Sequence, residues 1–355
     1  MDENKALMKE KLTQLWKNPK VKVLKTAGEK YAIMSDSHIG DGGRADDFHV
    51  TKNSATLLRA LEHYRVNGFK LILLGDIEEL WQFDLDQIVR MYGKDIYTKL
   101  REFGDGRIFR VYGNHDMDWR FQDPIKGDHL NKGWAVEALE MKDKSGKVSI
   151  ILVHGHQGSI LSEKHSWISR IFVKRIWKPI EPLAIKLKLF GNPSSTKSQI
   201  VKNYEKIMYS WAKKAKVIII CGHSHRAIFA SRSYIDKLKN DIRDAQADIL
   251  AHRDDKVRVK NNIKKVARLT KELAKEKFKG REISPTEGYK TPLPCYFNCG
   301  CTLYTDGITT LEIEDDMIRL VKWHKKPKKG EYFAIYDDGN GKTLSDFLKQ
   351  IRKSK

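Results

Sequence analysis

Short aliphatic or β-branched runs recur along the chain, and each stops at a polar or glycine-rich turn: Tyr31 to Ser35, Leu71 to Leu74, Ile108 to Tyr112, Val148 to Val153 and Val217 to Cys221. Runs of this length bounded by turn residues predict buried strands. Between the first two, Ser54 to Tyr64 places Leu57, Leu58 and Leu61 at helical spacing, and Ser210 to Ala215 closes another helix-like segment before the fifth run. Strand, helix and strand in succession predict an α/β core. From Pro294 onward the helices stop. Cys295 to Cys301, Thr309 to Ile313, Met317 to His324 and Glu331 to Tyr336 follow one another across turns, which predicts a second, antiparallel sheet section.

Two stretches break this rhythm. Residues 160–210 combine Trp167, Phe172 and Trp177 with Arg170, Lys174 and Arg175, are interrupted by Pro179 and Pro182, and predict a basic, aromatic-rich helical cap over a site. Residues 234–282 place Ile235, Leu238, Ile242, Ala245 and Ile249 at alternating spacings of three and four, then repeat the pattern with Val259, Ile263, Val266 and Leu273. This predicts a helical hairpin turning near Asp254 and Asp255, with a heptad face suited to self-association. Its second arm, Lys256 to Glu282, carries 11 Lys or Arg against 3 Glu. No repeat or Pro/Ser-rich linker separates these stretches from the rest, so both read as insertions. The expected organisation is a helical extension over 1–28, one domain over 29–325 holding cap and hairpin, and a strand with a basic tail over 326–355.

Composition narrows the function classes. With 355 residues, 40% hydrophobic and 32% charged, the chain can bury a large core, which excludes a disordered or disulfide-stapled protein. The net charge of +21 points to phosphate-rich partners, nucleic acid among them. No apolar run approaches the roughly 18 residues of a membrane span, and Met1 to Lys22 lacks a secretory apolar core, so a cytoplasmic protein is expected. Peripheral membrane contact is expected at most through Leu12 to Trp16 and the lysine-rich tail Leu344 to Lys355. The four cysteines lack CxxC spacing and read as reduced core residues.

The chemistry lies just after the strands. The five runs are followed by Asp36-Ser37-His38, Gly75-Asp76, Gly113-Asn114-His115-Asp116, His154-Gly155-His156 and Gly222-His223-Ser224-His225. The carboxyl edge of an α/β sheet is where loops converge on one crevice. Carboxylate, amide and imidazole ligands without thiolate suit Mn²⁺, Fe or Zn²⁺. Asp36, His38, Asp76, Asn114, His154, His223 and His225 are too many for one ion, and two divalent ions sharing Asp76 would use them all. Alternation along an extended segment would put Asp36 and His38 on one side, and His223 and His225 likewise.

This run of motifs resembles the calcineurin-like metallophosphoesterases, over about residues 30–225 and the closing strands near 295–324. The resemblance implies an α/β fold, a four-layer α/β/β/α sandwich of two packed mixed sheets, and a dinuclear centre, with Mn²⁺ the first choice of metal. One ion would be held by Asp36, His38, Asp76 and His225, the other by Asp76, Asn114, His154 and His223. His115 matches the family's histidine that faces the phosphate, and Asp116 is expected to fix its tautomer. Gly75 to Trp81, with Glu79 and Trp81, is similar to a segment of the UDP-2,3-diacylglucosamine diphosphatases, from which the chain departs at His115 and His156.

The expected reaction is hydrolysis of a phosphodiester or pyrophosphate by metal-activated hydroxide. The first substrate reading is a nucleotide-linked, UDP-sugar lipid-like molecule gripped by Glu79, Trp81, His156, Trp167, Arg170, Lys174 and Arg175. The second is a nucleic acid bound through the basic hairpin. A binding scaffold without catalysis is the third reading.

Overall fold

The computed structural model describes all residues except 1, 17, 19, 105, 121–134, 158–193, 279–291, 328–329, 338–340 and 355. Among the described residues thirteen strands form two sheets. They are β1 (Lys22–Lys25), β2 (Lys30–Met34), β3 (Lys70–Leu74), β4 (Ile108–Val111), β5 (Ala138–Lys142), β6 (Val148–Val153) and β7 (Ile218–Cys221), then β8 (Ala227–Phe229), β9 (Arg232–Ser233), β10 (Tyr296–Cys299), β11 (Gly307–Glu314), β12 (Met317–His324) and β13 (Phe333–Asp337). One sheet has the order β1-β5-β6-β7-β10-β8-β9 and the other β13-β12-β11-β2-β3-β4. Both are mixed: β2, β3 and β4 run parallel, as do β6, β7 and β10, and β1 with β5, while the other pairings are antiparallel.

Side-chain alternation in β2 to β4 builds the layers. Tyr31, Ile33, Ile72, Leu74, Phe109 and Val111 join the core shared with the seven-stranded sheet. Ala32, Met34, Leu71, Leu73 and Ile108 face the opposite way, with Leu57, Leu61 and Tyr64 of α3 (Ser54–Val66). Helices α1 (Asp2–Trp16), α2 (Asp47–Thr51), α4 (Leu85–Tyr92) and α5 (Thr98–Arg101) precede α6 (Ser194–Ala215) in the chain. The first core also takes in Met8, Leu12 and Leu15 of α1 and Met208, Trp211 and Ala212 of α6. Trp211 ties these two helices together by donating to the Thr13 hydroxyl at 3.1 Å. The result is helices on both outer faces of two packed sheets, as expected.

Three readings change in detail. The strands after Pro294 do not form a sheet of their own: β10 pairs with β7, whereas β11 pairs with β2, so they complete both sheets. Residues 1–28 contain, besides α1, the strand β1, which pairs with β5. Helices do not stop at Pro294: the basic tail forms a C-terminal helix over Leu344–Lys353.

The hairpin forms from α7 (Tyr234–Ala251) and α8 (Lys256–Phe278), packed on each other. Ser233 caps α7 through a capping box with Asp236. Of its apolar face Ile235, Leu238, Ala245 and Leu269 are buried within this chain, so the heptad seam is largely consumed internally, while Leu250, Val257 and Ile263 stay exposed. The C-terminal helix α9 (Leu344–Lys353) buries Leu344, Phe347, Leu348 and Ile351, and α1 buries Leu12 and Leu15. The apolar residues expected to touch a membrane are therefore core residues. No described helix is long and apolar enough to cross a membrane. All four cysteines are free and buried. Most of the cap, with Trp167, Arg170, Lys174 and Arg175, lies outside the described residues.

Candidate metal centre

The candidate ligands gather at the carboxyl ends of β2, β3 and β4 in one sheet and of β6 and β7 in the other. Asp36, His38, Asp76, His223 and His225 all have left-handed backbone, with φ of 52°, 43°, 52°, 66° and 54°. Each such non-glycine residue costs about 1–3 kcal/mol, and such strain collects at functional sites. Hydrogen bonds between the loops hold it: Asp36 N–H donates to the Gly75 carbonyl at 3.0 Å, and His38 N–H to the Asp76 carbonyl at 3.0 Å. Asp36 and His38 thus converge because the chain turns at each, and not through the strand alternation expected from sequence.

Three overlapping ligand groups result among the described residues. Asp36, His38 and His225 each offer one atom within 4.8 Å of the others, as do Asp76, His154 and His223, and, bridging these two sets, His38, Asp76 and His115. In the first, His225 Nε2 is 3.3 Å from Asp36 Oδ1 and 3.1 Å from His38 Nε2. Asp76 lies between the groups, its Oδ2 3.0 Å from His154 Nε2 and 3.9 Å from His38 Nε2. Glycine makes this approach possible. A Cβ on Gly113 would collide with the Asp76 carboxylate, and one on Gly75 would lie 2.5 Å from His154 Nδ1.

The donor set fits divalent cations. Asn114 Oδ1 is buried without a hydrogen-bond partner, which is costly unless something else satisfies it. The Leu74 carbonyl accepts from His154 Nδ1 at 2.8 Å, which leaves the Nε2 lone pair for the crevice. Burial works against ionisation of Asp36 and Asp76, but the neighbouring imidazoles outweigh it and hold both below the usual carboxylate range. Burial and His154 push His223 down to about 3, so its ring is neutral. For His154, burial is overcome by the charges of Asp76 and Asp36, which raise it to about 10; a proton and a cation compete for its lone pair.

The carboxylate that reaches His115 is Glu79 and not Asp116. Glu79 is buried, with its carboxylate 2.8 Å from Nδ1 of both His38 and His115. It orients these two rings rather than facing a substrate. Burial raises its pKa, but His115 and His38 bring it down to about 2. Asp116 instead accepts from the backbone N–H groups of Gly113 at 2.6 Å and Ile77 at 2.9 Å, tying the loops after β4 and β3 together. His115 is thereby pulled both ways: burial lowers its pKa, whereas Glu79 and Asp76 raise it to about 9. Trp81 stacks on its ring at 4.1 Å and 20°.

His156 is buried behind the ligands, its ring 5.5 Å from that of His154 and 6.5 Å from that of His223. Sequence reading passed over Glu78 and Arg110. Their bidentate pair (2.6 and 3.1 Å), with Tyr97 and Trp119 also donating to Glu78, anchors the loop that carries Glu79. The signal was the Glu78-Glu79 pair: adjacent acids at the end of a buried strand must each find a partner on a different side.

Two packed mixed sheets with an imidazole and carboxylate crevice at their strand ends define a hydrolase-type metal site. The family model of the calcineurin-like phosphoesterases matches residues 29–227, and the chain belongs to that family, which makes it a metal-dependent phosphoesterase acting on phosphate-containing substrates. A solved structure from Streptococcus pneumoniae TIGR4, a conserved uncharacterized protein described as a predicted phosphoesterase, is 12% identical. That match covers 83% of this chain and 89% of the other, with a TM-score of 0.30. No curated protein matches the chain.

Proposed function

We propose that the protein hydrolyses a phosphodiester or pyrophosphate bond at a dinuclear centre. Asp36, His38, Asp76 and His225 would hold one divalent ion, and Asp76, Asn114, His154 and His223 the other, with Mn²⁺ the first candidate and Fe or Zn²⁺ fitting the same donors. The carrying observation is Asp76, whose carboxylate lies between two ligand groups. Bound cations supply Lewis acidity toward phosphoryl oxygens and acidify water.

The chain's own residues do the rest. His115, protonated up to about pH 9 by the charges of Glu79 and Asp76, holds a proton at the rim of the crevice for the leaving oxygen. Glu79 accepts at its Nδ1, so Nε2 is the nitrogen left to face substrate. Trp81 fixes the plane of the ring.

A UDP-sugar lipid-like substrate draws its support from the Gly75 to Trp81 segment. With Glu79 serving His38 and His115 and Trp81 stacked on His115, that segment is accounted for by the construction of the centre. A basic groove between α8 and strands β12 and β13 favours a nucleic-acid strand. The hydrolytic reading is tested with bis-p-nitrophenyl phosphate and Mn²⁺. Asn114→Ala is expected to lose both metal and turnover, and His115→Ala to keep metal while slowing about 10²-fold or more. Unchanged turnover in both variants would refute it.

A further inference from the structure

A groove of about 820 Å³ opens between α8 and strands β12 and β13. Arg268 and Lys271 line it from the hairpin, and Lys322, Lys325 and Lys326 from the sheet. Some of this charge is already engaged. Lys322 pairs with Asp306 at 2.7 Å, Lys325 donates to the Thr51 carbonyl at 2.6 Å, and Glu272 accepts from the Tyr234 hydroxyl. Arg268, Lys271 and Lys326 have no carboxylate partner among the described residues. Five cations against the two carboxylates of Glu272 and Asp306, both already engaged, leave the recess net positive, and such a recess attracts an anion.

The groove adjoins a second cleft on the side of the candidate metal centre. Tyr234 and Tyr336, stacked at 3.7 Å, form part of the groove's wall and also part of the wall of that cleft, lined by His225 and Arg226. In that cleft the Tyr304 hydroxyl donates to the His225 carbonyl at 2.8 Å. One pair of stacked rings thus stands between the groove and a cleft lined by a candidate ligand of the first ion.

We propose that this groove holds the phosphate backbone of a single-stranded polynucleotide whose scissile phosphate sits at the metal centre, an inference that rests on the phosphoesterase reading above. A nucleotide diphosphate would place its phosphates at the centre and leave the groove unused. The basic character extends beyond the groove, since α8 carries nine Lys or Arg against two Glu, as a repeating polyanion requires. A concave, cationic channel with aromatic walls is the construction that single-strand binders use. A flat anionic membrane would not enter it.

The test uses the full chain loaded with Mn²⁺ and a fluorescein-labelled oligothymidylate, titrated over a salt series. Combining Arg268→Ser, Lys271→Ser and Lys326→Ser is expected to weaken binding about tenfold or more, and to flatten the log–log salt slope by about two. Combining Lys342→Ser, Lys349→Ser and Lys353→Ser at the C-terminus is expected to change affinity less than about twofold, although it removes the same net charge. In the groove variant KM for oligothymidylate cleavage rises with kcat kept, and turnover of bis-p-nitrophenyl phosphate stays at the wild-type value. Unchanged binding in the groove variant, or an equal loss in both variants, would overturn the proposal. So would a groove variant that loses only its hold on phosphatidylserine vesicles, which would assign the groove to a membrane surface. Failure of the wild type to hydrolyse the small diester would count against the phosphoesterase reading, whereas oligothymidylate affinity needs no turnover and judges the groove by itself.

Discussion

The carboxylate of Glu79 lies 2.8 Å from Nδ1 of His115 and equally close to Nδ1 of His38. One buried group thus sets the orientation of a candidate metal ligand and of the candidate proton donor together. Glu79→Gln keeps the shape, but the amide can accept from only one of the two rings. Turnover is expected to fall about 10- to 100-fold. With the negative charge gone, the pKa of His115 drops from about 9, so the alkaline limb of the pH–rate profile moves to lower pH. A pH profile with bis-p-nitrophenyl phosphate checks this, and an unmoved alkaline limb would contradict it.

Gly113 is where the backbone passes closest to Asp76. Gly113→Ala would drive a Cβ into that carboxylate and to 2.6 Å from the Asp76 backbone nitrogen. We expect loss of bound metal and a destabilisation of about 1–3 kcal/mol, typical of overpacking. Gly68→Ala serves as control: its φ of 78° strains an alanine, as the backbone of Gly113 does not, but nothing lies within 4 Å of the added atom. Metal content after dialysis separates the two: depleted in the first, retained in the second.

Stability should also fall as pH rises toward neutrality through Glu205. Burial lifts its pKa to about 7 against the opposing pull of Arg226, which donates to it at 2.7 Å. A raised folded-state pKa means the contribution is complete below about pH 4.5, the unfolded value, and is lost as pH climbs through about 7. Asp116, also raised to about 7, and Glu140, raised to about 6, act in the same direction, so the difference between wild type and Glu205→Gln isolates one group. Thermal melts from pH 5 to 8 should show a shallower decline in the variant. Parallel declines would mean that Glu205 is ionised throughout.

Much of this was legible in the sequence because the signals are local. A buried parallel strand reads as a continuous apolar run, and the residue that ends it is visible at once, so Asp36, Asp76, Asn114, His154 and His223 could be placed at strand ends. Strand β1 could not, since only Leu24 of Lys22–Lys25 is buried and no period of two emerges. Nor does any local feature say that β10 pairs with β7 while β11 pairs with β2, because those pairings span long stretches of chain. The roles of Glu79 and Asp116 fail for the same reason. Asp116 adjoins His115 in sequence, yet the loop turns its carboxylate to two backbone N–H groups, and the carboxylate that reaches His115 arrives from the loop after β3.

The central claim is that Asp76 is shared by two metal ions. Measuring metal bound per chain and turnover of bis-p-nitrophenyl phosphate, side by side in wild type and Asp76→Ala, tests it most directly. The account predicts two ions and metal-dependent turnover in the wild type, and loss of both in the variant. A folded Asp76→Ala protein that binds the wild-type complement of metal and hydrolyses the diester at the wild-type rate would contradict it.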